Sequence, residues 1–215
     1  MSLNYKSYWR KSGLKGKWGN IFLERLLKYN PKNVLEIGVF CGVTARNTCD
    51  FLNKINGKNF NYIGVDLFGR NKSEVKNEIE PTFLKDQKFS NPLKNIYYNY
   101  ILKENLNSIE SVSKLLIKYK SNIKLIAGDT NKVLKEINLQ NIDFTFLDGG
   151  HSYQTVINDL TILYESMKGK NKGILCDEYG KESYIPEVEK AINDFTKQNS
   201  LKLNLIENRF AEIIT

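Results

Sequence analysis

The sequence predicts an α/β fold: a doubly wound, mostly parallel seven-stranded sheet with one antiparallel C-terminal strand, helices on both faces and a helical insertion. Three observations predict it. Short buried-strand patterns alternate with amphipathic helical patterns five times, which calls for a parallel sheet covered by helices. Two successive strand patterns, LKLNLIE and RFAEIIT, close the chain as a hairpin around a tight turn at Asn208, and this adds one antiparallel strand. Roughly 50 residues, 69–120, separate the second and third strand patterns, far more than a crossover needs.

Each element has its own signal. GNIFLERLLKYN, from Gly19, repeats apolar residues at helical spacing through Phe22, Leu23, Leu26 and Leu27, and Pro31 ends the run. With the residues before it, this makes an N-terminal helical arm over 1–32. NVLEIGV is a short buried strand. Ala45, Cys49 and Leu52 share a helical face after Gly42. FNYIGVDLF is the second strand. Then come IKLIAGD, IDFTFLD and KGILCDE, separated by NKVLKEI and by a helix from Tyr153 to Met167 striped with Val156, Leu160, Leu163 and Met167. Pro186 opens the next helix, with Val188, Ile192 and Phe195 facing inward. The insertion carries Tyr97, Tyr98 and Tyr100 and a helical stretch SVSKLLIKY, and is expected to lie over the mouth of the sheet as a lid and substrate platform.

The 215 residues suit a single domain. Hydrophobic residues at 41% argue against global disorder. No apolar run reaches the ~20 residues of a membrane span, and MSLNYKSYWRKSG lacks the apolar core of a signal peptide, so a cytoplasmic location is expected. Cys41, Cys49 and Cys176 have no metal spacing and read as reduced thiols, with Cys176 in the core. A net charge of +8 favours acidic partners, but the lysines are dispersed without a block of like charge, which fits a solvated surface.

In an open parallel sheet, ligands bind beyond the carboxyl ends of the strands. Read in order, those ends are Glu36-Ile37-Gly38, Asp66, Asp129, Asp148 and Asp177-Glu178. A single aspartate there is commonly a helix N-cap; a carboxylate at every parallel strand end suggests a binding rim. The first turn, EIGVFCGVT, spaces its glycines G-x-x-x-G. Phe40 stands where a dinucleotide fold needs a second glycine against the pyrophosphate. A ligand without a pyrophosphate fits better, and S-adenosylmethionine is one. Glu36 can attract its cationic end, Gly38 and Gly42 keep the turn close, and the helix start near Thr44 can favour its carboxylate. Asp66 is placed for the ribose hydroxyls and Asp129 for the adenine amine.

On these residues the chain resembles class I S-adenosylmethionine-dependent methyltransferases of Rossmann-like fold. The motifs are LEIGVFCGVT, YIGVD, AGDTNKVL, FTFLDGGHSYQTVINDL and GILCDEYG, in that order on successive strand ends from about Asn33 onward. The third motif adds Thr130 to the expected cofactor contacts. LDGGHSY followed by Asp-Glu more narrowly resembles small bacterial O-methyltransferases related to the macrocin and other sugar O-methyltransferases. The resemblance implies a hydroxylated small-molecule acceptor such as a saccharide or secondary metabolite, a homodimer, and Mg²⁺ or Mn²⁺ held by acids matching Asp148, Asp177 and Glu178. Glu178 departs from the second aspartate usual there. Gly150 stands where some relatives carry an acid.

Methyl transfer to an alcohol of pKa ~15.5 requires loss of a proton whose full ionisation at neutral pH costs roughly 11–12 kcal/mol. Asp148 and the metal are expected to polarise the hydroxyl. His151, the only histidine, is the expected general base. The bland alternative is that His151 begins a helix. Gly149 and Gly150 would leave room for substrate against the backbone. Tyr153 is expected on the cofactor wall or as a helix staple, and Asp159 in a surface or helix-dipole contact. Three rival functions remain. A nucleic-acid methyltransferase fits the charge, but DGGH stands where a (D/N)-P-P-(Y/F) motif is usual. The others are a non-catalytic S-adenosylmethionine-binding protein and a dehydrogenase, the latter disfavoured by Phe40.

Overall fold

The computed structural model describes residues 4–69, 87–169, 172–181 and 185–215. The expected insertion, 69–120, therefore lies partly outside the described residues, at 70–86. Element by element, the chain runs α1 (Gly16–Tyr29), β1 (Asn33–Ile37), α2 (Val43–Asn56) and β2 (Asn61–Asp66). The insertion contributes α3 (Pro92–Ile96), a π-helical turn (Tyr97–Ile101) and α4 (Ile109–Leu115). There follow β3 (Ile123–Ala127), α5 (Thr130–Val133), β4 (Phe144–Leu147), α6 (Tyr153–Met167), β5 (Gly173–Cys176), α7 (Pro186–Gln198), β6 (Leu203–Ile206) and β7 (Phe210–Ile214).

The seven strands form one sheet ordered β3-β2-β1-β4-β5-β7-β6. All pairs from β3 to β5 are parallel, and β7 is antiparallel to both of its neighbours. The single antiparallel strand is thus as expected. Glu207 and Asn208 both adopt positive φ, 54° and 58°, within the three-residue turn between the paired Ile206 and Phe210. The chain reverses its direction of travel across the sheet between β1 and β4, so the ends of these strands mark the switch point.

Because successive strand residues face opposite sides, the sheet has two cores. Val34, Phe144, Phe146, Leu175 and Phe210 pack with α1 and α2. Leu35, Ile37, Ile174, Cys176 and Ile213 pack with α6 and α7. Proline at the first position of α7 and Ser152 at the N-cap of α6 start those helices where the sequence placed them. One inward position departs from expectation. Asp159 is fully buried, not on the surface, because it lies three residues after Val156 on the stripe that α6 turns inward.

The arm before α1 lies along α2. The Tyr5 hydroxyl meets Thr44 Oγ1 at 2.7 Å, and the Lys6 N–H donates to Asn47 Oδ1 at 2.8 Å. The Tyr8 hydroxyl donates to Asp50. Buried Arg10 then donates to the carbonyl oxygens of Leu106 and Ser111, both at 3.3 Å, and to the Ser111 hydroxyl, tying the arm to the insertion. Trp9 stacks against Tyr97 and Tyr98 of the insertion, with ring centroids 5.2 and 5.7 Å away.

Candidate active site

The turn after β1 packs backbone against backbone on the loop after β4. Gly38 has φ +90°, and a Cβ there would fall 1.8 Å from the Asp148 carbonyl oxygen. A Cβ at Gly149 would fall 2.6 Å from Ile37 Cγ2. Both positions therefore exclude side chains, and the two expected halves of the site, cofactor turn and Asp148 loop, are in direct contact.

Glu36 is 1% exposed on β1. The paired residue on β2 is Gly64, whose missing side chain opens a space that the Tyr62 hydroxyl enters from the same face. Tyr62 donates to Glu36 Oε2 at 2.9 Å, whereas the buried Oε1 has no hydrogen-bond partner. Burial pushes the Glu36 carboxyl up to about 8, and the Tyr62 bond only partly offsets this. A buried acceptor without a donor is costly, and a cationic amine would satisfy it. The observation fits S-adenosylmethionine, whose amino group is such a donor.

Asp66 closes β2 and accepts two backbone N–H bonds, Oδ2 from Phe40 and Oδ1 from Phe68, each at 2.7 Å. It thereby fixes the first turn, in which Phe40 itself sits at φ +52°. A carboxylate oxygen has a second lone pair, so hydroxyls remain acceptable partners. Asp129, on the neighbouring strand end, is the N-cap of α5. Its Oδ1 accepts from the Asn131 N–H at 3.0 Å and from the Asn131 side chain at 2.8 Å. Thr130 opens α5. Gly42, at φ +76°, precedes α2 without a side-chain cap, so the first N–H groups of that helix remain available to an anion. The Thr44 hydroxyl, however, is held by Tyr5, which also approaches Ser12 at 3.3 Å. Burial raises the Tyr5 pKa, so its phenol stays protonated.

Beyond β4 and β5 a small open recess is lined by Asp148, Gly149, Gly150, His151, Asp177 and Glu178, above an apolar floor that includes Val156, Val188 and Ile192. The pairing of Leu147 with Cys176 brings the two acid-bearing ends side by side. Desolvation, then the charges of Asp177 and Glu178, hold the Asp148 carboxyl well above the usual range, and Arg209 acts in the opposite sense. His151 lies just before Ser152, whose side chain accepts from the Thr155 N–H at 3.3 Å. The helix therefore has its own cap, and His151 is not needed for that task.

The acids expected to hold a metal are arranged otherwise. Asp177 is locked in a bidentate pair with Arg209, Nε to Oδ1 and Nη2 to Oδ2, both at 2.7 Å. Nη2 also stands 3.9 Å from Glu178 Oε1. Among the described residues no group of three histidine, cysteine, aspartate or glutamate side chains is placed to hold a metal ion. A guanidinium forked onto both Asp177 oxygens repels a second cation there, so this donor set does not fit a divalent ion.

Tyr153 also departs from expectation. Its hydroxyl donates to Asp194 Oδ2 at 3.0 Å and Lys190 lies over its ring, so it faces α7 and not the cofactor turn. Sequence reasoning missed Tyr62, Tyr5 and Arg209. For Arg209 a signal existed: the first residue after the turn into an antiparallel final strand must stand at the rim where the parallel strands end.

Comparisons with known proteins bear on the family and the fold. A family model described as a methyltransferase domain matches residues 35–179. Among solved structures, the S-adenosylhomocysteine-bound methyltransferase PaMTH1 of Podospora anserina covers 93% of this chain and 79% of its own, at 14% identity and a TM-score of 0.58. The TDP-rhamnose 3′-O-methyltransferase CalS11 of calicheamicin biosynthesis covers 90% and 77%, at 15% identity and 0.58. Cofactor-bound Rv0187 from MTB covers 95% and 82%, at 10% identity and 0.62. At these identities the likeness is one of fold. A curated protein of Acanthamoeba polyphaga mimivirus, uncharacterized protein R132, is 43% identical over 54 residues, which span 24% of this chain and only 23% of that protein. The family model takes in well over half of the chain, from β1 through the recess acids, and the chain belongs to the methyltransferase-domain family.

Proposed function

We propose that this protein moves the methyl group of S-adenosylmethionine to a hydroxyl of a small molecule, a saccharide or secondary-metabolite alcohol. The observation that carries the reading is the Gly38–Asp148 contact. It sets a turn suited to a pyrophosphate-free, cationic ligand directly against a recess holding an acid and the only histidine. The O-methyltransferase CalS11, which acts on TDP-rhamnose, shares the fold and supports a hydroxylated acceptor.

Bound S-adenosylmethionine supplies a methyl group on a positively charged sulfur, which leaves with the electron pair of the broken C–S bond. The chain's own residues do the rest. Glu36 holds the amine end of the donor and Asp66 its ribose, with Asp129 and Thr130 at the adenine side. Asp148 and the glycine backbone orient the acceptor oxygen. His151 takes the hydroxyl proton as the C–O bond forms. Positioning the two reactants supplies part of the rate, and the base typically contributes 10²–10⁴-fold. The insertion, of which 87–120 is described, forms the acceptor platform through its contacts with the arm.

The test is turnover of methyl-labelled S-adenosylmethionine against a panel of nucleotide sugars, glycosides and phenolic alcohols. An accepted hydroxyl substrate is the expected outcome, with His151→Gln slower by roughly 10²–10⁴-fold at unchanged cofactor affinity. Full activity of that variant removes His151 from the mechanism. Methylation of RNA or DNA alone would overturn the acceptor assignment.

A further inference from the structure

We propose that Arg209 is the resident cation of the acceptor recess, balancing the charge of the strand-end acids where a divalent ion would otherwise stand. This rests on the methyl-transfer reading above and concerns how the same site is held together.

Four observations carry it. The guanidinium forks onto Asp177 with two bonds of 2.7 Å and reaches Glu178 at 3.9 Å, so one side chain bridges both acids that end β5. Such bidentate, charge-assisted pairs are the strong ones. The pair is shielded from solvent: side-chain exposure is 1% at Asp177 and 13% at Arg209. The backbone is fixed at the same place, since the Tyr179 N–H donates to the Arg209 carbonyl at 2.8 Å and the Arg209 N–H to Ile206 at 3.1 Å. The guanidinium is also flanked by the rings of Trp18 and Phe210, at 5.6 and 5.7 Å from their centroids. Arg209 is thus held at its backbone, at its fork and against two rings.

The consequence is electrostatic. A divalent cation approaching Asp177 would meet the guanidinium already forked onto both of its oxygens, where like charges repel at short range. Arg209 already supplies the positive charge that lets Asp177 and Glu178 stand next to Asp148. It acts as a positioning residue, keeping the acids in place around the acceptor, and it excludes the metal.

Mn²⁺ binding to the full chain, treated with chelator and desalted, tests this through loss of the free-ion paramagnetic resonance signal. Methyl transfer is followed in parallel. Wild type is expected to leave the Mn²⁺ signal unchanged and to turn over equally with and without chelator. Arg209→Gln, which keeps polarity and removes charge, is expected to gain Mn²⁺ binding. Arg209→Lys is expected to behave as wild type toward the ion. Stoichiometric Mn²⁺ binding by wild type overturns the proposal, as does a folded Arg209→Gln protein that gains none. If Arg209→Gln does not fold, wild type and Arg209→Lys decide alone: no binding by either supports the proposal, and binding by either overturns it. Absence of turnover with every acceptor, beside the expected Mn²⁺ results, would sink the methyl-transfer reading and leave the charge assignment intact.

Discussion

Glu36→Gln separates a carboxyl that recognises charge from one that merely fills space. In the free protein burial holds this carboxyl at about 8, against an ordinary value of 4.5. At pH 7 it is therefore protonated about ten to one, and ionising it to meet a cationic amine costs about 1.4 kcal/mol. Cofactor affinity should climb roughly tenfold per pH unit below that value and level off near it, and binding at pH 6.5 should release about one proton. Calorimetry in two buffers of different ionisation enthalpy reads that proton directly. The glutamine variant should bind more weakly, with no proton released. The same group gives a stability signature. An acid whose folded pKa lies above its unfolded one retains its proton in the native state after the unfolded chain has lost it. Stability is then greatest below about 4.5 and falls as pH rises toward about 8. The whole shift is worth about 5 kcal/mol at most. Glu36→Gln should remove that slope and be the more stable protein at pH 8. An affinity that is flat from pH 6 to 7.5, or an equal proton count in both proteins, would refute the reasoning.

Two further substitutions test the frame of the site. Gly38→Ala places a methyl 1.8 Å from the Asp148 carbonyl oxygen in a backbone conformation that resists side chains, so urea denaturation should show a loss of about 4 kcal/mol or more; a loss below about 1 kcal/mol means that the loops can separate. Asp66→Ala strips acceptors from the Phe40 and Phe68 N–H groups as well as from the ribose, and cofactor affinity should fall by roughly 1.5–3 kcal/mol; equal affinity by calorimetry would remove Asp66 from the cofactor site.

What was legible in the sequence follows from periodicity. The bounds of α6, Tyr153–Met167, and the proline that opens α7 could be read because apolar spacing and capping chemistry are local. The strand ends were legible for the same reason, and with them Glu36, Asp66, Asp148 and Asp177. The partner of each carboxylate was not. Asp177 might equally have faced a metal or an arginine, and the choice lies in a residue 32 positions further along the chain. Tyr153 shows the same limit: helical phase alone does not say whether a ring at a helix start leans toward the cofactor or toward the next helix. At Asp159 polarity points to solvent and helical phase points inward with Val156, and phase prevails.

The N-terminal arm has a consequence for how the chain is made. Its anchors lie along α2, at Thr44, Asn47 and Asp50, and in the insertion, at Leu106 and Ser111. Within the chain the arm precedes its partners, and at ~5–20 residues per second Leu106 and Ser111 are made several seconds after Arg10. Until its own partners are made, Tyr5 has neither Thr44 nor, from within α1, the space that Gly19 leaves for its ring. The arm is thus made before the segments that hold it. Bulk attached next to the arm would burden that late docking, and its cost should appear in the yield of protein competent to bind cofactor, ahead of any change in the melting temperature of what has already folded.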